Sequence, residues 1–522
     1  MHVLLGFIVL MTIGTASASS QMILSVDLAD RRQTIEGFGA SDAWSIDPAI
    51  KQWQQSDNDA AIEELADWLF SVEAGIGLSL WRFNIGAGSA EQGESSGIPD
   101  PYRRAELLVT TPFGAIDASK QAGQIRMMHE AKKRGLSGIV AFANSPPVWA
   151  TINGIAHPGG NDQLKDIGST NLNMKSVDAF ADALVRTTEY LYRDLELPVH
   201  YLSPINEATW HWTSETQEGN RYNMSETKSV YRATYDALKQ RGLEHQIELD
   251  AGEVVEYRAA LGDEYFKALE GKSYTAGMNK EGMGRYRGYI DFLLGDLELR
   301  PMISNKLSLH GYFSDTSKER FFDLRDAVFK NTHDISPDAR LWMSEYAILG
   351  EASADRPFDG HGFDVNDMSY ALHVARMMHL DLTRLDVTAW FWWLALTPYD
   401  YKDGLIKINK NLSAESMEQS KLFWTVGHFS RFVRPGFERL SASLADVDGV
   451  MATAFISDEE NQLIIVVTNS SIETQSISVS GVDMKNWRQF VTDSKRELAM
   501  SRGTGDLVAV PPRSSTTVVV NL

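Results

Sequence analysis

Two glutamates that lie far apart in the chain both follow apolar stretches and could act together on a glycosidic bond. Glu207 ends the segment HYLSPINE, residues 200–207, and Glu345 lies within LWMSEYAIL, residues 341–349. Two carboxyl groups roughly 5–5.5 Å apart can cleave such a bond with retention, because one attacks the anomeric carbon while the other protonates the leaving oxygen. The two segments therefore predict a sugar-cleaving site, provided that the fold brings both glutamates to one face.

The surroundings of the two glutamates suggest different roles. Glu207 is expected to be the acid, because the Trp-rich segment after it and the second carboxylate could raise its pKa. Glu345 is expected to be the nucleophile, which must stay ionised, and Arg82 and the Tyr312 hydroxyl are its candidate partners. For Arg82 a purely structural ion pair is the alternative.

Other residues near the ends of strand-like segments are candidates for binding substrate. Asn206 could hydrogen-bond the sugar 2-hydroxyl, and Asp42 follows a Gly-rich segment. The aromatic candidates are Trp44, Trp149 and Trp393, which could stack on sugar faces or simply pack in the core. His310 is a further candidate, with a hydrogen-bonded structural histidine as the alternative. No second His stands at ligand spacing around it, so neither a metal nor a cofactor is predicted.

The composition favours a carbohydrate partner. The 522 residues include 49 Lys and Arg against 70 Asp and Glu, and the net charge of −21 would repel nucleic acid or an anionic membrane surface. The 13 Trp residues require either a core or a flat ligand such as a sugar. The absence of cysteine excludes thiol catalysis and Cys-ligated metal. A monomer is compatible with the sequence, which leaves the oligomeric state open.

The N-terminus has the pattern of a secretory signal. An apolar run at residues 4–13 leads to Ala16-Ser17-Ala18, although His2 is the only basic residue before it. We therefore expect cleavage after about Ala18 and a secreted or periplasmic protein. The run is too short to span a bilayer, and the later sequence has no apolar stretch of spanning length, so no membrane span is predicted.

Eight strand-like segments, each followed by a helical pattern, must position the candidate residues. Such alternation implies parallel strands with right-handed crossovers. It predicts a (β/α)8 barrel, in which the C-terminal strand ends carry the active site. A doubly wound sheet is the alternative, but no Gly-rich phosphate-binding turn opens a helix. The segments are residues 33–45, 77–86, 137–147, 200–205, 246–253, 306–313, 340–349 and 386–395.

From residue 421 the pattern changes. A helical segment, residues 421–436, is followed by short alternating runs separated by Asn, Ser, Gly and Pro, which is typical of an antiparallel β-sandwich. No low-complexity linker intervenes, so rigid packing is expected. The predicted units are a signal (1–18), an N-terminal strand expected to join the sandwich (19–35), the barrel (36–420) and the C-terminal helix with the sandwich (421–522).

Seven segments together resemble family 30 of the glycoside hydrolases. In chain order they read TIEGFGASDAW, LSLWRFNIGAG, SPPVWA, YLSPINEATW, LSLHGYF, LWMSEYAIL and FWTVGHFSRFVRPG, from Thr34 to Gly436. The resemblance implies a retaining (β/α)8 enzyme with a side-associated β-sandwich, and its acid/base and nucleophile glutamates correspond to Glu207 and Glu345. Ala208 stands where the family usually has Pro, which concerns the rigidity of the loop more than the chemistry.

Within the family, residues 209–223 look most like the endo-β-1,6-galactanase branch, where a Gln-Glu-Gly segment follows the acid/base. Glu218 and Arg221 would then help to form the substrate cleft, with a solvated loop as the alternative. The resemblance thus implies a secreted enzyme that cleaves β-1,6-galactan side chains of arabinogalactan type by double displacement. β-1,6-Glucan and xylan are the alternative substrates. A catalytically silent carbohydrate-binding protein is the alternative from another class.

Overall fold

The computed structural model of the chain describes residues 22–159, 170–210, 212, 216–262, 287–444 and 449–522. The predicted signal, residues 1–18, lies outside this part of the chain. Across these ranges, no helix combines the length and the apolar character that crossing a bilayer requires.

Parallel strands form the larger of two sheets. After β1 (Met22–Thr34), which belongs to the other sheet, the barrel strands are β2 (Gly37–Ser41), β3 (Leu80–Ile85), β4 (Gly138–Ala143), β5 (Val199–Ser203), β6 (Glu248–Leu249), β7 (Gly252–Val254), β8 (Lys306–His310), β9 (Arg340–Glu345) and β10 (Ala389–Thr397). Their order is β6-β5-β4-β3-β2-β10-β9-β8-β7. Since β6 and β7 are two halves of one interrupted strand, the sheet closes and the predicted (β/α)8 barrel is confirmed.

The barrel strands form where the sequence has short apolar runs. Every residue of β3 and of β4 is buried, as expected for parallel strands that are covered on both faces. Position 39 in β2 requires glycine, because a Cβ there would lie 2.5 Å from the ring of Phe391 in the adjacent strand β10. Two short strands, β11 (Gly404–Lys407) and β12 (Glu418–Gln419), extend the sheet beside β10.

The longer helices mostly follow the predicted alternation. They are α1 (Ile46–Gln55), α2 (Asp59–Phe70), α3 (Ala122–Lys133), α4 (Val177–Glu189), α5 (Met224–Gln240), α6 (Asp323–Ile335), α7 (Met368–Arg384) and α8 (Lys421–Ser430). The helical pattern after the fifth strand-like segment predicts a helix over residues 286–297, but among the described residues of this range only Tyr289–Leu293 is helical. Gly288, with φ of 88°, precedes that turn and Gly295 follows it, and glycines at both ends limit a helix.

A second sheet contains β1 and the strands after α8. These are β13 (Glu438–Leu444), β14 (Val450–Ser457), β15 (Gln462–Asn469), β16 (Gln475–Ser480), β17 (Asn486–Thr492), β18 (Ala499–Thr504), β19 (Leu507–Val510) and β20 (Ser514–Asn521). The nine strands run in the order β18-β17-β20-β15-β14-β13-β1-β16-β19. All neighbours are antiparallel except β1 and β16, which are parallel.

The second sheet has two buried faces. One encloses an apolar core that includes Leu24, Ile465 and Val518, as in a β-sandwich. The other places Phe455 and Ile464 in the same apolar cluster as the barrel. The sandwich therefore packs directly against the barrel, through its contacts with α7 and α8.

Candidate active site

The two glutamates meet at the C-terminal face of the barrel. Glu345 is the last residue of β9, and Glu207 lies four residues beyond the end of β5. One oxygen of each carboxylate and a ring nitrogen of His310 all lie within 4.8 Å of one another. This separation is close to the roughly 5–5.5 Å of retaining glycosidases and shorter than the roughly 6.5–9.5 Å of inverting ones.

The turn after β5 fixes the backbone of Glu207. This residue has a φ of 47°, a left-handed conformation that is uncommon for a residue with a side chain. Its N–H donates to the Glu253 carbonyl oxygen at 2.9 Å, and its own carbonyl accepts from the Trp210 N–H and from Trp212 Nε1, each at 3.0 Å. Such strained positions cluster at functional sites, where the surrounding structure holds them.

Glu345 is surrounded by hydrogen-bond donors. The Tyr312 hydroxyl donates to its Oε1 at 2.7 Å, and Arg82 Nη1 donates to its Oε2. The Arg82 guanidinium is buried and lies 4.0 Å above the ring of Phe142, so its position is fixed. Burial raises the pKa of Tyr312 well above its usual value, which keeps the hydroxyl a donor. Each oxygen of Glu345 therefore accepts a hydrogen bond from a buried donor.

Glu207 has a different environment. Burial raises the pKa of its carboxyl group, and the hydrogen bond from His310 opposes this shift without cancelling it. His310 Nδ1 lies 3.1 Å from Glu207 Oε1, and Nε2 lies 2.9 Å from Glu253 Oε2. Burial disfavours a charged His310 ring, but the carboxylates around it, first of all Glu345, raise its pKa to about 10. A ring with this pKa carries a proton on each nitrogen at neutral pH and can donate to both Glu207 and Glu253.

Glu253 is the buried carboxylate that the sequence argument missed. It ends the predicted fifth strand, accepts from Arg82 Nη2 at 2.6 Å, and is completely buried. Burial alone would raise the pKa of Glu253, but Arg82 and His310 outweigh burial and lower it to about 2. The only available signal is its position at the end of a barrel strand, which it shares with Glu345.

A chain of side-chain amides orients Asn206. Asn206 Nδ2 donates to Asn144 Oδ1 at 2.9 Å, and Asn144 Nδ2 donates to Asn84 Oδ1 at 2.9 Å. The backbone N–H of Asn84 in turn donates to Asp42 Oδ1 at 2.9 Å, and burial raises the pKa of Asp42 to about 7. Asp42 is therefore a support for Asn84 and not the predicted substrate ligand.

A cavity of about 280 Å³ opens over the two glutamates. Of the predicted residues, Tyr312 and Trp393 line it with Glu207 and Glu345, while Arg82, Asn206 and His310 are buried behind them. Several residues outside the predicted set also line it: Arg103, Trp210, Gln217, Phe313, Tyr401 and Asp403.

Two of the predicted aromatic residues are absent from the cavity wall. Trp44 is buried and meets Trp393 edge-on, with ring centroids 6.1 Å apart. The Trp149 indole N–H donates to the Val109 carbonyl at 3.0 Å, and the ring packs against the barrel core. The buried Trp44 thus supports Trp393 from behind, which corrects its assignment to sugar stacking, whereas stacking by the partly exposed Trp149 stays a prediction.

The prediction for Glu218 and Arg221 is wrong in its detail. Both side chains are buried, at 0% and 1% exposure, so neither can contact a polysaccharide. The Glu218 carboxylate accepts from the N–H groups of Ala87 and Ser89 at 3.0 and 3.2 Å and from the Ser89 hydroxyl at 2.6 Å. It anchors the loop, and its neighbour Gln217 reaches the cavity instead.

Glu207, His310 and Glu345 form the one set of potential metal ligands that the described residues bring this close together. The set suits a cation poorly. Both ring nitrogens of His310 already face carboxylates, and the Arg82 guanidinium occupies an oxygen of Glu345. A divalent ion would have to displace two resident positive charges.

A (β/α)8 barrel that presents two close glutamates at the C-terminal face is an architecture of glycoside hydrolases. Comparison with known proteins gives the family. The sequence pattern of O-glycosyl hydrolase family 30 matches residues 21–407 of the chain. The chain therefore belongs to family 30 of the O-glycosyl hydrolases, as its seven segments indicated.

The chain is also similar to individual proteins. A 194-residue part is 29% identical to the glucuronoxylanase XynC of Bacillus subtilis (strain 168), covering 35% of this chain and 39% of that protein. A conserved exported protein from Bacteroides fragilis is 25% identical, with a TM-score of 0.81 over 95% of this chain and 100% of that one. Xyn30A, a subfamily 8 xylanase from Clostridium acetobutylicum, shares the fold at 19% identity, with a TM-score of 0.64 over 96% and 100%.

Proposed function

We propose that this hydrolase acts by double displacement, with Glu345 as the nucleophile and Glu207 as the acid/base. The observation that carries the proposal is the pair of carboxylate oxygens within 4.8 Å, held in contrasting environments. Glu345 receives hydrogen bonds from Arg82 and Tyr312, whereas burial favours the protonated form of Glu207. A nucleophile has to be charged and an acid has to carry a proton, so the two environments suit the two roles.

The reaction then proceeds in two balanced steps. Glu345 attacks the anomeric carbon and forms an ester to the sugar, while the Glu207 proton moves to the leaving oxygen. Glu207 is now ionised and takes a proton from water as that water attacks the same carbon. The carbon–Glu345 bond breaks and both carboxyl groups return to their starting states. Two inversions give a product with the original anomeric configuration.

We propose β-1,6-linked galactan of arabinogalactan type as the substrate. The support is the segment after the acid/base, residues 209–223, from which Trp210 and Gln217 line the cavity. β-1,6-Glucan and xylan remain the alternatives, and the similarity to a glucuronoxylanase favours testing xylan first among them. We also propose export from the cell, which the N-terminal apolar run and the similarity to an exported protein support.

The chemistry is tested with Glu345→Gln and Glu207→Ala. Glu345→Gln should lower kcat on the order of a thousandfold or more, because the amide cannot form the ester. Glu351→Gln makes the same change at an exposed position and should retain activity. Glu207→Ala should retain turnover of aryl glycosides with good leaving groups and should be accelerated by azide, which gives a glycosyl azide of retained configuration. Full activity of Glu345→Gln would remove the nucleophile assignment.

The substrate is tested by product analysis. Wild-type protein is incubated with de-arabinosylated arabinogalactan, β-1,6-glucan and glucuronoxylan, and the oligosaccharides are identified. Galactose-containing β-1,6 products support the proposal, whereas hydrolysis of only glucan or xylan assigns the corresponding alternative. Binding to one of these polymers without any hydrolysis would identify the chain as a silent carbohydrate-binding protein.

A further inference from the structure

Glu253 is separated from the substrate but contacts both halves of the catalytic pair. Its side chain is completely buried and does not line the cavity. A single oxygen, Oε2, lies 2.6 Å from Arg82 Nη2 and 2.9 Å from His310 Nε2. Its backbone carbonyl accepts from the Glu207 N–H at 2.9 Å. Any effect of Glu253 on the reaction must therefore act through these neighbours.

The two cations that Glu253 holds are the ones that touch the glutamates of the reaction. Arg82 Nη1 donates to Glu345, and His310 Nδ1 lies 3.1 Å from Glu207 and 3.6 Å from Glu345. Because the imidazole ring is rigid, fixing Nε2 on Glu253 also fixes the direction in which Nδ1 points. Glu253 thus determines how the His310 ring is placed between the two carboxylates.

The charges of the cluster balance only when Glu253 is present. Arg82 and the His310 imidazolium contribute two positive charges, and Glu253 and Glu345 contribute two negative ones. Glu207 can then keep its proton in a neutral cluster. Without Glu253 the buried cluster would carry an excess positive charge, which weakens the hold on protons of both His310 and Glu207.

Three carboxylates face the His310 ring, and Glu253 is the one that takes no direct part in the proposed reaction. The Tyr312 hydroxyl faces Glu345, and its raised pKa keeps it neutral. Behind Glu253, Asp250 lies 3.2 Å from Lys306 Nζ, so the charge of one offsets the other. No further ionisable side chain from the described residues bonds to either nitrogen of His310.

We propose that Glu253 is a positioning residue of the hydrolase: it holds His310 as an imidazolium between Glu207 and Glu345 and thereby keeps one glutamate protonated and the other charged. The proposal rests on the roles proposed above for these two glutamates. Loss of the proton from either His310 or Glu207 would abolish acid catalysis, so Glu253 sets the alkaline limit of activity.

The test compares Glu253→Gln with Glu248→Gln. Glu248 lies on the same interrupted strand and pairs with Lys306 and Arg340 at 2.8 Å each, so its variant also removes a paired carboxylate but leaves His310 untouched. In Glu253→Gln the alkaline limb of the pH profile of kcat/KM should move to lower pH by about one unit or more, and in Glu248→Gln it should not move. With a poor leaving group, kcat should fall roughly ten- to a hundredfold, and with an activated aryl glycoside it should fall less.

Glu253→Asp keeps the negative charge but moves it away from Arg82 and His310 by about the length of one methylene group. Its alkaline limb should move in the same direction by a smaller amount, which keeps the test decisive if the Gln variant does not fold. An unmoved alkaline limb in a folded Glu253 variant would overturn the proposal, however large the loss of kcat.

A second readout does not depend on glycosidase activity. ¹⁵N NMR of histidine-labelled protein, with His310 assigned through His310→Gln, reports directly whether the ring is charged. In wild type and in Glu248→Gln the His310 ring should remain an imidazolium through pH 8. In Glu253→Gln it should lose its proton at a lower pH than in these two proteins. If the wild-type ring loses its proton near its ordinary pKa, the proposal fails. Absence of hydrolysis in wild type would instead count against the proposed function.

Discussion

Two buried histidines join the barrel to the β-sandwich and should make the folded state sensitive to acid. His379 in α7 lies 2.6 Å from the Thr453 hydroxyl and 3.0 Å from the Thr468 hydroxyl. His428 in α8 lies 2.8 Å from the Thr517 hydroxyl. Burial, with no carboxylate to oppose it, lowers the pKa of each ring to about 3. Both histidines are therefore neutral in the folded protein at any moderate pH.

The sign and size of the effect follow from proton linkage. Below the ordinary His pKa of about 6.5 the unfolded chain takes up a proton at each position, whereas the folded chain does so only near pH 3. Stability is thus lost as the pH falls from about 6.5 towards 3. Because pH 5 lies about 1.5 units below the ordinary His pKa, the free energy of unfolding is lower there by about 2 kcal/mol for each histidine and by about 4 kcal/mol for both.

The prediction is tested with His428→Asn, whose side-chain amide can still hydrogen-bond the Thr517 hydroxyl. The free energy of unfolding is measured in urea at pH 7.5 and pH 5 for variant and wild type. Between pH 7.5 and pH 5, the free energy of unfolding of the variant should rise by about 2 kcal/mol relative to that of wild type, because the Asn side chain does not titrate. His245→Asn, at a side chain that is 84% exposed, serves as the control and should show no such gain.

The comparison of variant with wild type is necessary because buried acids act in the opposite direction. Burial raises the pKa of Asp42, Glu218 and Asp403 to about 7, so the folded protein holds protons there that the unfolded chain releases. These groups cost stability as the pH rises from about 4 to 7. Their contribution is common to both proteins and cancels. An equal difference in stability at both pH values would refute the linkage argument.

Three further substitutions test other parts of the structure. Lys306→Met should cost about 3–5 kcal/mol in urea unfolding, because it leaves Asp250 as an unpaired buried carboxylate, and a smaller cost would mean that this pair is dispensable. Glu218→Gln should cost about 1–3 kcal/mol, because an amide NH₂ would face donors, and calorimetry should show a lowered Tm. Gly219→Ala should raise KM, because its Cβ would lie 2.1 Å from the indole of Trp212 in the cavity wall; an unchanged KM would contradict this contact.

The barrel and its two main carboxylates could be predicted because their signals are local. Parallel barrel strands are buried on both faces, so each appears as a short apolar run, and the residue that ends the run lies on the active face. Glu345 is the last residue of β9, and Glu207 follows the end of β5 by four residues, so both lie at this face. Helix α1 also has a local signal, since its buried positions Ile46, Ala49, Ile50 and Trp53 follow helical spacing.

The roles of loop carboxylates could not be read in the same way. Glu218 lies in a polar segment, where a charged residue is normally solvated, and its burial depends on N–H groups contributed by residues 87 and 89. Those donors are about 130 positions away in the sequence, with separations of 131 and 129. The polarity of a segment gives no information on such distant partners, so the residue that reaches the substrate side, Gln217, could not be distinguished from the one that anchors the loop.

The same limit explains why Glu253 was missed although its position resembles that of Glu345. A carboxylate at a strand end is a candidate acid, nucleophile or support, and only the charges facing it decide among these. Glu345 has a hydroxyl, a guanidinium and the cavity beside it, whereas Glu253 has two cations and no access to the cavity. Arg82 bridges both carboxylates, so a change in the charge of either one must alter the environment of the other. The catalytic state of Glu345 is therefore a property of the whole buried cluster.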